Sequence, residues 1–281
     1  MKNIEEQIKD LLKEDPYELK RSIKKKKLLE IFKLQIHHHI QNCQKYKYWY
    51  KENKFINPVE ITDLSQIPYI PSSVFKFTEL ISSKSKIKII RSSGSTSNNK
   101  SSIYLDSVTS NLQKISLSKI LSSTLNKKRK IFFIIDVEPK ENFSQNTITA
   151  RYAGMSGYLM AAKSKNYLLK INKNNQIVFD NKIVSKLIKK IKNEPIVLIG
   201  YTYMLWNYFL ENNYLNTNKI VCHPDSQIIH FGGWKKLQNK SVTKQKFIEK
   251  ILKLFKIKLT NILDIYGFSE QLGSIYVSRG V

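Results

Sequence analysis

Cysteine, arginine and long apolar runs are all scarce in this chain, and each scarcity removes a class of protein. The two cysteines, Cys43 and Cys222, lie far apart and outside any CxxC pattern. That argues against a disulfide framework or a structural zinc and fits a reducing, cytoplasmic setting. Of the 48 basic residues only five are arginine (Arg21, Arg91, Arg129, Arg151 and Arg279), and the rest are lysines spread among many Asn and Ile. Arginine is the residue suited to forked phosphate and base contacts. The net charge of +26 is therefore not the clustered basic patch of a nucleic-acid binder, and no nucleic-acid partner is expected. The most apolar window, Pro195 to Leu210, is short and carries Gly200, Thr202 and Asn207. It cannot span a bilayer. The N-terminal run MKNIEEQIKDLLKED is charged throughout, unlike a secretory signal. His37, His38 and His39 are consecutive, and neighbouring helical positions point in different directions, so three metal ligands cannot converge there.

What is present is enough to fold. With 281 residues, 41% of them hydrophobic and 11% aromatic, the chain can hold one large core or two domains. Ile4, Ile8, Leu11 and Leu12 keep helical spacing up to a break at Pro16, and a second helical region is predicted from Tyr17 to Tyr50. A helical segment over 1–54 thus precedes an α/β core over 55–281. Pro58, Pro68 and Pro71 make the next stretch extended. Strands are predicted at Ile87–Ile90 and Ser102–Leu105, then a helix capped by Asp106. Thereafter short apolar strands (131–135, 167–171, 196–199, 227–231, 262–266, 274–277) alternate with helices (150–162, 183–191, 204–210, 244–255). Such buried runs between helices indicate largely parallel sheets covered on both faces, with ligands at the carboxyl ends of the strands.

Three turns fall where such ligands bind. The first is SSGSTSNNK, Ser92 to Lys100. Its clustered hydroxyls (Ser92, Ser93, Ser95, Thr96, Ser97) surround Gly94 and can turn donors inward on an anion. Taken alone, it reads first as a Ser/Asn-rich surface loop. The second is HFGGWK, where Gly232 and Gly233 follow a strand and let backbone approach a flat ligand. The third is YGFSEQ, where a strand ends in Tyr266, Gly267, Ser269 and Glu270.

In this order the turns resemble those of the adenylate-forming enzymes, and more closely the LuxE-type acyl-protein synthetases, which activate fatty acids for bacterial bioluminescence. The phrases NCQKY (Asn42–Tyr46), IPYIPSSVFK (Ile67–Lys76), LIGYTYMLW (Leu198–Trp206), HFGGWK and IYGFSEQLGSIY (Ile265–Tyr276) carry the resemblance. It implies an α/β adenylate-forming N-terminal region that uses ATP and Mg²⁺ to join a carboxylic, long-chain fatty acid to AMP. By the same resemblance Ser92, Ser93, Gly94, Ser95, Thr96 and Lys100 would hold the triphosphate. Gly232 and Gly233 would line the adenine, with Tyr266 and Gly267 beside it and the tyrosine stacked on the base. Ser269 and Thr96 would contact reacting phosphate, and Glu270 would ligate Mg²⁺. These roles suit the chemistry, because two anions meet at the α-phosphorus and need a metal and fixed donors. Gly200, Tyr201 and Trp206 would line an acyl pocket or simply pack in the core. An acyl-reductase partner, or a separate C-terminal piece, would take the acyl group.

Two departures from the family pattern stand out. Ser97 occupies the place of a second loop glycine. After Glu270 the expected ribose-binding aspartate, hinge, catalytic lysine and acyl-accepting cysteine find no counterpart before Val281. The expectation is therefore a truncated ligase, with a nucleotide- or acyl-binding remnant, or half of a split enzyme, as the alternative.

Overall fold

The structure, a computed structural model, describes residues 3–85, 88–91, 101–139, 155–211, 220–234, 239, 241–268 and 271–280. It divides into two compact units, Met1–Ser123 with Phe268–Ser274, and Thr124–Gly267 with Ile275–Val281.

In the first unit, α1 (Ile4–Lys13) starts at a capping box in which Asn3 and Glu6 satisfy each other's backbone N–H. The helical region expected from Tyr17 to Tyr50 is two helices, α2 (Arg21–Asn42) and α3 (Gln44–Glu52). Cys43 breaks it by adopting extended backbone, with its N–H bonded to the His39 carbonyl. The two helices pack around Ile36, Cys43, Tyr46, Tyr50 and Ile61. The proline-punctuated segment forms three short 3₁₀ turns rather than a continuous extended chain. β1 (Lys88–Arg91) pairs antiparallel with β2 (Ser102–Leu105), so both ends of the hydroxyl loop are placed, while Ser92–Lys100 itself lies outside the described residues. Asp106 accepts from the Thr109 N–H at 2.7 Å and caps α4 (Ser107–Thr124), as an Asp at that position should.

The second unit is built on strands β3 (Lys130–Val137), β4 (Ala162–Ile171), β5 (Ile177–Phe179), β6 (Ile196–Tyr201), β8 (Gln227–Phe231) and the greater part of β10 (Ile262–Phe268) and β11 (Gln271–Arg279), with β7 (Ile220–Val221) and β9 (Phe255–Lys256) pairing apart from them. The seven-stranded order is β11-β10-β8-β6-β3-β4-β5. The pairs β10–β8, β8–β6, β6–β3 and β3–β4 are all parallel. Every residue of β6 and β8 is buried; in β6 this is why Ile196–Ile199 reads as an unbroken apolar run and not as an alternating one, whereas β8 also buries Gln227 and His230. This is the mixed α/β architecture with a largely parallel sheet that the sequence indicates. Helices α5 (Asn181–Ile191) and α6 (Lys244–Leu254) bury Val184, Leu187 and Ile191, and Phe247 and Ile251.

One local reading is corrected. The helix expected over 150–162 has residues 150–154 outside the described set. Tyr158–Ala161 is a 3₁₀ turn, and Ala162 already opens β4, because Lys163 to Lys165 continue the strand with their side chains in solvent. The stretch 204–210 is helical as expected, an α-turn (Thr202–Leu205) that widens into π-helix (Trp206–Glu211). β5 was not expected; it is a short antiparallel edge strand beside β4.

One buried cation sits at the amino end of this sheet. Lys130, 2% exposed, donates to the Asp225 carbonyl at 2.6 Å and to Gln227 Oε1 at 2.7 Å. Burial lowers its pKa to about 8, with Asp225 opposing and Lys128 and Arg279 adding to the shift.

Candidate functional site

The carboxyl ends of β6, β8 and β10 line up, because Phe231 is opposite both Tyr201 and Ile265. The Gly232–Gly233 turn leaves β8 there, and Tyr266 and Gly267 lie just past the matched residues of β10. All four line one cavity of about 390 Å³, together with Asp264, Ile265, Tyr276, Val277 and Ser278. A cavity at the carboxyl end of parallel strands is where such a sheet takes its ligands.

The glycines differ in what they do. Gly232 has φ +71°, and a Cβ there would lie 3.1 Å from Cδ1 of Tyr201. The turn needs glycine for its backbone and for the ring beneath it. Gly233 meets nothing within 4 Å, so it offers open backbone. At Gly267 a Cβ would come within 3.0 Å of the Tyr158 hydroxyl. Tyr158 and Tyr201 both pack on Phe231, with centroids 5.0 and 4.6 Å away, and make an aromatic floor under the turn. Burial raises the Tyr158 phenol to about 12, so it stays a neutral hydroxyl. Tyr266 is 64% exposed.

Asp264 connects the cavity to a buried polar group. Its Oδ2 takes Lys244 Nζ at 3.0 Å, and its Oδ1 lies 3.8 Å from His230 Nδ1. His230 is 3% exposed, bonds Thr202 Oγ1 through Nδ1 at 3.0 Å and packs on Phe247. Burial holds its imidazole well below the ordinary value, against the pull of Asp264 and with the push of Lys244. It is neutral near pH 7. Its Nε2 and the Trp206 Nε1 are buried without a hydrogen-bond partner among the described residues.

The structure thus brings together Gly232, Gly233, Tyr266 and Gly267. It does not describe Ser92, Ser93, Gly94, Ser95, Thr96, Lys100, Ser269 or Glu270, which lie outside the described residues. Gly200 is accounted for by packing, since a Cβ there would sit 2.9 Å from that of Ile135. Tyr201 and Trp206 are buried and do not line the cavity. Asp264 and Tyr276 do; the motifs give neither a role, Tyr276 being only the last residue of the phrase Ile265–Tyr276 and Asp264 lying just ahead of it. Elsewhere, His37, His38 and His39 turn to three different partners, Gln41, Asn42 and Ser82. Both cysteines are buried free thiols, and burial raises that of Cys222 to about 12. Among the described residues no helix is long and apolar enough to cross a membrane.

Comparison with known proteins adds two findings. The model of the family described as acyl-protein synthetase, LuxE, matches residues 2–278. A long-chain-fatty-acid–luciferin-component ligase of Photorhabdus luminescens is 37% identical over 67 residues, 24% of this chain and 53% of that relative. The match spans about half the length of that curated relative.

Proposed function

The chain belongs to the LuxE acyl-protein synthetase family, and on that premise we propose that it activates a long-chain fatty acid with ATP and Mg²⁺. The observation that carries the reading is that Gly232, Gly233, Tyr266 and Gly267 line one and the same cavity. Open backbone on one side and an aromatic face on the other fit a planar heterocycle such as adenine. In this reading Gly232 and Gly233 line the base and Tyr266 stacks on it, with Gly267 alongside. Ser92, Ser93, Gly94, Ser95, Thr96 and Lys100 hold the triphosphate, Ser269 and Thr96 contact the reacting phosphate, and Glu270 holds Mg²⁺. ATP supplies the electrophilic phosphorus and the pyrophosphate leaving group. The chain's own part is to align the acid's carboxylate with it and offset the meeting of two anions. An acyl-reductase or other partner would receive the acyl group.

The test is isotope exchange between pyrophosphate and ATP with a panel of fatty and aromatic acids. Exchange that depends on a long-chain fatty acid is the expected result. ATP binding with no exchange for any acid would overturn ligase activity for this chain.

A further inference from the structure

Tyr276 has no role in the family resemblance, yet it lines the same cavity as Tyr266. It is 63% exposed, nearly as much as Tyr266. The two ring centroids are 6.2 Å apart, with planes inclined at 44°. A single exposed tyrosine is ordinary. Two whose rings face each other over a cavity with an open glycine edge at Gly233 form the sides of a slot.

We propose that Tyr276 is the second wall of an aromatic slot that holds the base of the nucleotide between Tyr266 and Tyr276. This rests on the ATP reading above and deepens it. A flat base between two rings needs about 7 Å, two contacts of about 3.5 Å each. The rings therefore have to part by less than 1 Å from their present 6.2 Å and lose their tilt. Exposed side chains make such movements by rotation about χ1 and χ2, on the picosecond-to-nanosecond timescale and without moving the backbone. The slot holds the base by ring faces and not by the phenol hydroxyls, since stacking needs only a π-face. Asp264, also in the lining, is held by Lys244 at 3.0 Å.

The experiment is calorimetric titration of ATP with Mg²⁺ into the full chain, as wild type, Tyr276→Ala and Tyr276→Phe, with thermal unfolding of each protein alone. Tyr276→Ala is expected to bind ATP roughly 5- to 150-fold more weakly, the range for loss of one base–aromatic stack. Tyr276→Phe should stay within about twofold of wild type by the same principle, and the melting temperatures should agree because the side chain is exposed. Equal ATP affinity in Tyr276→Ala and wild type overturns the slot while leaving the proposed function standing. Equal weakening by the Phe and Ala variants also overturns it, because the hydroxyl would then be the contact. A wild-type chain that binds no ATP defeats the proposed function, and the slot falls with it.

Discussion

Gly232 and Gly233 are adjacent, and alanine at each should fail in a different way. At Gly232, alanine has to adopt φ +71°, which penalises an L-residue by about 1–2 kcal/mol. Its Cβ would also lie 3.1 Å from the Tyr201 ring. That ring is buried and rests on Phe231 at 4.6 Å, so it has little room to retreat. Together these destabilise the unit by roughly 1–3 kcal/mol, or a fall of roughly 2–12 °C in melting temperature at this size. At Gly233 the backbone is not in the left-handed region and nothing lies within 4 Å. Alanine there should leave stability within about 0.5 kcal/mol of wild type. Its methyl group, however, would stand in the cavity. Overpacking there should weaken ATP binding by about 1–3 kcal/mol, or roughly 5- to 150-fold in Kd. Thermal unfolding and ATP titration of Gly232→Ala and Gly233→Ala together read out both effects. Equal losses of melting temperature, or wild-type ATP affinity in Gly233→Ala, would refute the division of labour between the two glycines.

Two further outcomes follow from other groups. Lys130 has a folded pKa of about 8 against 10.5 for the free side chain, so between those values the unfolded chain binds more protons and stability rises with pH. Denaturant unfolding across that window should therefore favour wild type over Lys130→Met by a growing margin, at most about 3 kcal/mol; a constant difference would show that Lys130 does not titrate in that way. If Glu270 holds the metal, Glu270→Gln should weaken ATP binding in the presence of Mg²⁺ and leave metal-free binding unchanged, as two calorimetric titrations would show. Equal affinity in both conditions would remove Glu270 from the metal site.

Much of the fold is legible in the residues because most of its elements are locally determined. Apolar runs such as Ile131–Ile135 of β3 and Ile196–Ile199 of β6 can be satisfied only with both faces covered. Asp106 and Asn3 mark helix starts because their side chains reach a backbone N–H nearby. The errors fall where neighbours decide. Cys43 interrupts a helical pattern because its side chain is drawn into a core with Tyr46 and Ile61. The 150–162 reading gave way because Ala162 finds a partner in Lys130 on β3. β5 is three residues long and has no period strong enough to read.

The same distinction runs through the site. The residue types were fixed by the sequence alone: glycines after one strand, Tyr-Gly and a carboxylate after another, and a hydroxyl-rich loop ahead of both. Their order was enough to point to a family. Only the tertiary structure decided that Gly232 and Tyr266 share a cavity, because that depends on β8 and β10 being parallel neighbours with Phe231 opposite Ile265. Only it showed that Gly232 requires glycine, that Gly233 is open, and that Tyr276 stands beside Tyr266. The burial of Lys130 belongs with these, since its partners lie 95 and 97 residues further along the chain. Pattern and propensity act over a few residues, whereas a cavity is set by which strands lie side by side and in what register.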